Sequence, residues 1–214
     1  MKKREFSHIL TAVLVMTVVI GFTFTLNNQW GQLAQAFLFA VLIILIPICS
    51  KKLMAFVLDS NIEHEIWQWE RYGLKKHHHL EKPLSVGVAI PLVFTLFTLG
   101  LFKVMTFLTY ETRALKVRAA RRFGFYSFTE MTDWHNALIG AAGIISLIIL
   151  STVSYFLPFS GAEYLAKLSA YYAFWNLVPI SKLDGTQIFF GSRVLYATLA
   201  IITLIFTAYA LILP

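Results

Sequence analysis

The 214-residue chain is 58% hydrophobic and only 14% charged, against about 25% charged in a soluble domain, which excludes a water-soluble globular protein and points to one compact membrane bundle. A single cysteine, Cys49, excludes an internal disulfide and a cysteine-built metal site, and its apolar setting predicts an inert core thiol. The net charge of +7 comes from basic residues gathered in loops beside apolar stretches, a pattern that fits a bilayer with anionic headgroups rather than nucleic acid.

Apolar runs occupy about 7–26, 34–58, 84–110, 136–157, 162–180 and 187–213, and a span needs about 20 residues. The expected fold is an all-α integral membrane protein with five or six transmembrane helices. Residues 1–33 read as an N-terminal transmembrane anchor. The basic start Met1-Lys2-Lys3-Arg4 imitates a signal peptide, but the apolar run from Ile9 to Leu26 is long for one and no A-x-A site follows. Residues 34–214 read as the membrane core: helix 34–58, cytoplasmic loop 59–83, the run 84–110, basic loop 111–135, and helices 136–157, 162–180 and 187–213. Ser160-Gly161-Ala162-Glu163 has the spacing of a capping box for the fifth run, with Pro158 and Gly161 punctuating the turn before it.

The third run contains Gly87, Pro91, Gly100 and Lys103, and basic loops flank it on both sides. A single crossing would leave one basic loop outside, against the positive-inside rule. A re-entrant hairpin that enters and leaves on one side removes the conflict, provided its non-helical backbone is buried within protein. A crossing helix kinked at Pro91 is the other reading. The re-entrant reading makes the N-terminus and the basic loops cytoplasmic and brings Lys51, Lys52 and Asp184 to the same face of the cell membrane.

The most informative string is Asn176-Leu177-Val178-Pro179-Ile180-Ser181-Lys182-Leu183-Asp184-Gly185. It sets one carboxylate between two apolar runs, where an ionisable group costs about 2.5–3.5 kcal/mol at a helix centre and marks a functional site. The string resembles the N-x-x-P-x-x-x-L-D-G signature of the site-2 protease (M50) family of intramembrane zinc metalloproteases. The resemblance spans roughly residues 35–214 and implies that Asp184 descends from a zinc ligand. Such enzymes also need H-E-x-x-H on a helix, two imidazoles for the metal and a glutamate as general base, and no H-E-x-x-H occurs here. One degenerate register falls on Lys51-Lys52-Leu53-Met54-Ala55, so that Lys51, Lys52 and Ala55 replace the first His, the Glu and the second His. Another falls on His64-Glu65-Ile66-Trp67-Gln68, in a polar loop or surface helix. Ile139-Gly140-Ala141-Ala142-Gly143-Ile144 stands where the family has a small-residue segment, without its Pro and Asn.

An unpaired buried carboxylate seeks a partner. Lys51 or Lys52 is expected to pair with Asp184, with Lys182 and Arg193 as competitors. Alternatively Asp184 caps the last helix by accepting from the Thr186 or Gln187 amide. The His77-His78-His79 tract reads as a headgroup-facing loop, His135 as a neighbour of an N-cap at Thr132 or Asp133, and Tyr171, Tyr172, Phe174 and Trp175 as a packing face. The basic stretch Lys116–Arg122 reads as lipid-attracting. The expected function is that of a non-catalytic pseudoprotease that binds transmembrane segments of other proteins and needs no cofactor. The alternatives are an active metalloendopeptidase with a non-standard zinc site built from His64, Asp184 and His135 or His77, with Glu65 as the catalytic residue, and a small transporter.

Overall fold

A computed structural model describes residues 3–71, 79–115 and 131–212. In chain order it contains α1 (Lys3–Leu26), a single 3-10 turn (Trp30–Gln32), α2 (Leu33–Val57), β1 (Ser60–Ile66), β2 (Trp69–Arg71), β3 (His79–Leu84), α3 (Val86–Phe97) and β4 (Leu108–Ala114). Four helices follow: α4 (Asp133–Phe156), α5 (Ala162–Leu177), α6 (Asp184–Gly191) and α7 (Arg193–Ile212). The chain is thus mostly helical. Among the described residues, four helical stretches are long and apolar enough to cross a membrane: Arg4–Leu26, Trp30–Val57, Asp133–Phe156 and Arg193–Ile212.

Of the six expected runs, the third and the fifth form shorter helices and the last is divided. In the fifth, α5 has 16 residues, about 24 Å at 1.5 Å per residue. It stops before Pro179, which cannot continue a helix. It opens at Gly161 in the left-handed region (φ 90°) with no side-chain cap, so the capping box expected from Ser160 does not form. The last run is divided. Ser192 is extended (φ −160°, ψ 111°) and separates α6 from α7. The stretch 59–83 was expected to be loop but contains strands. β1 pairs with β4, and β2 pairs antiparallel with β3, with Trp69 opposite Leu84.

The chain folds as two compact units, one of Met1–Val41 with His64–Thr109, the other of Leu42–Glu63 with Tyr110–Pro214. In the first, α1 packs against α3, with Met16, Val19 and Ile20 fully buried. The third apolar run lies here, and it does not form one long helix kinked at Pro91. Its helix, α3, has 12 residues, about 18 Å against a hydrocarbon core of about 30 Å. Leu99 (φ 52°) and Gly100 (φ 78°) then turn the chain. The two ends of the resulting hairpin meet on one residue: the Gly87 amide donates to the Trp67 carbonyl (2.9 Å), and the Trp67 amide donates to the Phe107 carbonyl (2.9 Å). Gly100 at the tip lies against Phe22 and Thr23, late in α1. His64, three residues before Trp67, lies against Glu5 in the first turn of α1. Neck and tip therefore sit toward opposite ends of a helix stretch about 27 Å long.

The second unit is built on α4, which packs against α5, α6 and α7. Small residues on α4 (Ala137, Gly140, Ala141, Gly143) are buried and let its neighbours approach closely. Hydroxyl-to-carbonyl bonds tie the helices: Ser151 donates to the Ala166 carbonyl (2.9 Å) and Thr207 to the Ala170 carbonyl (3.4 Å).

A Cβ at position 87 would overlap the Phe107 carbonyl. Gly87→Ala should therefore open the hairpin neck and destabilise the protein by about 1–3 kcal/mol, the usual cost of overpacking. Thermal unfolding in detergent measures this, and an unchanged midpoint would contradict the neck geometry.

Candidate functional site

Lys51 lies near the end of α2, with 6% of its surface exposed, and Asp184 is the first residue of α6, with 2% exposed. Lys51 Nζ stands 2.5 Å from Asp184 Oδ2. Among the described residues, this ammonium is the one that reaches the carboxylate. Lys182 Nζ instead stands 3.8 Å from Glu111 Oε1 at a half-exposed position, and the Arg193 guanidinium lies over the Phe189 ring. Lys52, next in sequence, is half-buried.

Glycines make the pair geometrically accessible. A Cβ at position 143 would overlap the Lys51 side chain at Cε, so the lysine stem crosses α4 at the point where α4 has no side chain. The adjacent Ser50 hydroxyl donates to the Ala142 carbonyl (2.9 Å), fixing α2 at this level of α4. A Cβ on Gly185 would overlap the Leu177 carbonyl, so the L-D-G glycine is what brings the start of α6 onto the end of α5. Gly140 lies beneath Tyr110 and Ile188, where a Cβ would be 2.9 Å from the phenol oxygen and 3.1 Å from Cγ1 of Ile188.

Tyr110, on β4, completes the enclosure. Its ring centroid is 4.8 Å from Lys51 Nζ, within reach of a cation–π attraction. Its hydroxyl donates to the Asn136 carbonyl (2.7 Å), and the Gln187 side-chain amide donates to the Tyr110 carbonyl (3.4 Å). Burial first, and the Asp184 charge second, hold the phenol well above its ordinary range, so it remains a donor. Thr112 donates to the Asn136 side-chain oxygen (2.7 Å). Ala55 packs with Ile62, Tyr110 and Ile139 in an apolar cluster. In the signature string, Leu183 and Asn176 are buried, Pro179 is exposed, and the Asn176 amide nitrogen donates to the Tyr172 carbonyl one turn back (2.8 Å).

Asp184 does not cap α6. Leu183 holds the N-cap position, and its carbonyl accepts from the Thr186 and Gln187 amides (3.1 and 3.3 Å). Asp184 sits one residue later, where a negative charge suits the helix dipole. Its second oxygen, Oδ1, and the Thr186 hydroxyl are buried without a hydrogen-bond partner among the described residues.

The second degenerate register lies elsewhere and has the wrong geometry. His64 and Glu65 are on a strand, β1, not on a helix, and successive strand residues face opposite ways. His64 is buried and its Nδ1 lies 3.3 Å from Glu5 Oε1, while Glu65 is exposed. Among the described residues no three His, Cys, Asp or Glu side chains gather as a metal site needs. His135 Nδ1 contacts the Thr132 hydroxyl. His77, His78 and the stretch 116–122 lie outside the described residues, and His79 opens β3. Tyr171, Tyr172, Phe174 and Trp175 do not form one face: Tyr172 is buried, whereas Tyr171, Phe174 and Trp175 are half-buried. Cys49, expected in the core, is exposed on α2.

Sequence reasoning missed Tyr110 and Asn136. Neither stands in a recognisable spacing relative to Asp184. The one signal was that Tyr110 ends the third apolar run. Comparisons of the chain with protein-family models, with curated proteins and with solved structures find no match.

Removing one partner of a buried pair leaves an uncompensated charge and costs about 3–5 kcal/mol. Lys51→Ala and Asp184→Ala should each destabilise by that amount. The double variant Lys51→Met/Asp184→Leu should fall within about 1 kcal/mol of the parent, or above it. Denaturant unfolding in micelles measures all three, and additive losses in the double variant would show that the two side chains are not coupled.

Proposed function

We propose that this chain is a catalytically silent relative of the site-2 proteases, in which the Lys51 ammonium has replaced the zinc ion beside Asp184, and that it works by binding transmembrane segments of other membrane proteins. One observation carries this reading. The carboxylate that the resemblance marks as a metal ligand is paired at 2.5 Å with the residue at the first position of the degenerate motif.

The residues at the motif do not fit a zinc ion. Zinc takes neutral imidazole, thiolate or carboxylate donors. Here an ammonium stands at the first ligand position, and at the second a methyl group, Ala55, packed against Tyr110 and Ile139. The base position carries Lys52, which has no carboxylate to accept a proton from water. Repulsion between Lys51 and an incoming dication, about 4 kcal/mol per unit charge at 4 Å in a medium of effective dielectric 20, acts against metal at Asp184. What survives the loss of chemistry is a close-packed, apolar framework suited to holding a helix. The apolar hairpin tip, with Phe97 87% and Leu101 89% exposed, offers further surface to lipid or to a bound segment. In the proposed orientation, the N-terminus and the basic loops are cytoplasmic, and the stretch 86–107 dips into the bilayer and returns to the same side.

Purified protein should carry far less than one zinc per chain by elemental analysis, with no change on Asp184→Ala. Stoichiometric zinc that disappears in Asp184→Ala would overturn the silent reading. For the orientation, Leu80→Cys and Leu115→Cys in a Cys49→Ser background should both react with an impermeant maleimide from the cytoplasmic side. Labelling from opposite sides would mean that the run crosses.

A further inference from the structure

The end of the second unit remote from Asp184 carries a different feature. Two adjoining cavities open where α4 ends, α5 begins and α7 ends. The first, about 450 Å³, is predominantly apolar and runs between α4, α5 and α7, past Ala166, Ile205 and Phe206. The second, about 410 Å³, lies over the turn between α4 and α5, at Pro158 and Gly161. Three residues line both: Tyr155, Glu163 and Lys167.

We infer that this double cavity is a binding site for a zwitterionic phospholipid whose headgroup carries an ammonium beyond its phosphate. The order of the groups argues for it. Glu163 and Lys167 are four residues apart on α5, hence on one face and separated by about 6 Å along the axis. Glu163 is nearer the turn at the helix start, and Lys167 is deeper. An amine-bearing phospholipid presents its ammonium outermost, its phosphate next and its acyl chains deepest, which matches carboxylate, ammonium and apolar groove in turn. An anionic lipid lacking the amine would place nothing opposite Glu163. The ring of Tyr155, centroid 6.4 Å from that of Tyr209 on α7, belongs to the aromatic belt expected at headgroup level. The cavity volume falls in the range of small-molecule sites, about 300–1,000 Å³. The apolar chamber accepts an acyl chain and the chamber over the turn accepts the headgroup.

The test uses the full chain in nanodiscs containing equal amounts of phosphatidylethanolamine and phosphatidylglycerol, with retained lipid read by native mass spectrometry. The parent should keep phosphatidylethanolamine in about fivefold preference, the effect of one charge near a headgroup. Glu163→Gln should abolish that preference. Lys167→Gln should weaken retention of both lipids by a similar factor. Equal retention by the parent, a preference untouched by either substitution, or a polypeptide adduct in place of lipid from a photocrosslinker at Phe206 would overturn the assignment. Both substitutions are remote from the Lys51–Asp184 pair, so failure here leaves the pseudoprotease reading standing, and the zinc result leaves this one standing.

Discussion

A buried ammonium–carboxylate contact governs the second unit. Neither Lys51 nor Asp184 is tolerable alone in an apolar interior, because each loses several kcal/mol of hydration that only the other restores. The end of α2 and the start of α6 must therefore meet at one register. The three glycines are consequences of that demand. Gly143 clears the path of the lysine stem, Gly140 makes room for Tyr110, and Gly185 seats α6 on the Leu177 carbonyl. A larger residue at any of the three separates elements that the charges require to be adjacent.

On the proposed reading, the same pair accounts for the loss of metal chemistry. A metal centre built on Asp184 needs further donors with a free lone pair, such as neutral imidazole, thiolate or carboxylate. Lys51 brings a fixed positive charge and Ala55 brings no donor. On the proposed reading, the arrangement keeps the spatial logic of a protease core, motif helix against L-D-G turn, while replacing a removable ion with a covalently tethered one. On the same reading, the tethered lysine fills the site from within α2, so the helices would not relax around an empty ligand sphere. One ammonium approaching one oxygen leaves Oδ1 of Asp184 without a hydrogen-bond partner among the described residues.

The polar features of the second unit lie at both of its ends. At one end the charges are sealed and neutralise each other. At the other, Glu163 and Lys167 line the two adjoining cavities beside the apolar groove. The hairpin of the first unit, 86–107, belongs to neither. Its closure on Trp67 satisfies backbone groups at the neck through hydrogen bonds, which is the condition for leaving helical structure beside a spanning helix.

The chain's local properties determined a good deal. Runs of apolar residues located α1, α2, α4 and α7, because hydropathy over about 20 residues is read without knowing any neighbour. The cost of an isolated charge singled out Asp184, and the missing H-E-x-x-H is a fact of the letters alone. Other outcomes were decided only by tertiary contact. Among Lys51, Lys52, Lys182 and Arg193, the choice of partner depended on Gly143 standing beneath one stem and not the others. The strand β1 within 59–83 finds its partner, β4, far along the chain, whereas the break at Ser192 and the turn at Leu99 and Gly100 are made by local backbone bonds to Ile188, Leu96 and Thr95. Tyr110 enters the site because β4 pairs with β1, not through any spacing to Asp184. Periodicity and charge report what each residue avoids, but which group finally relieves it is settled by distances that exist only in the folded protein.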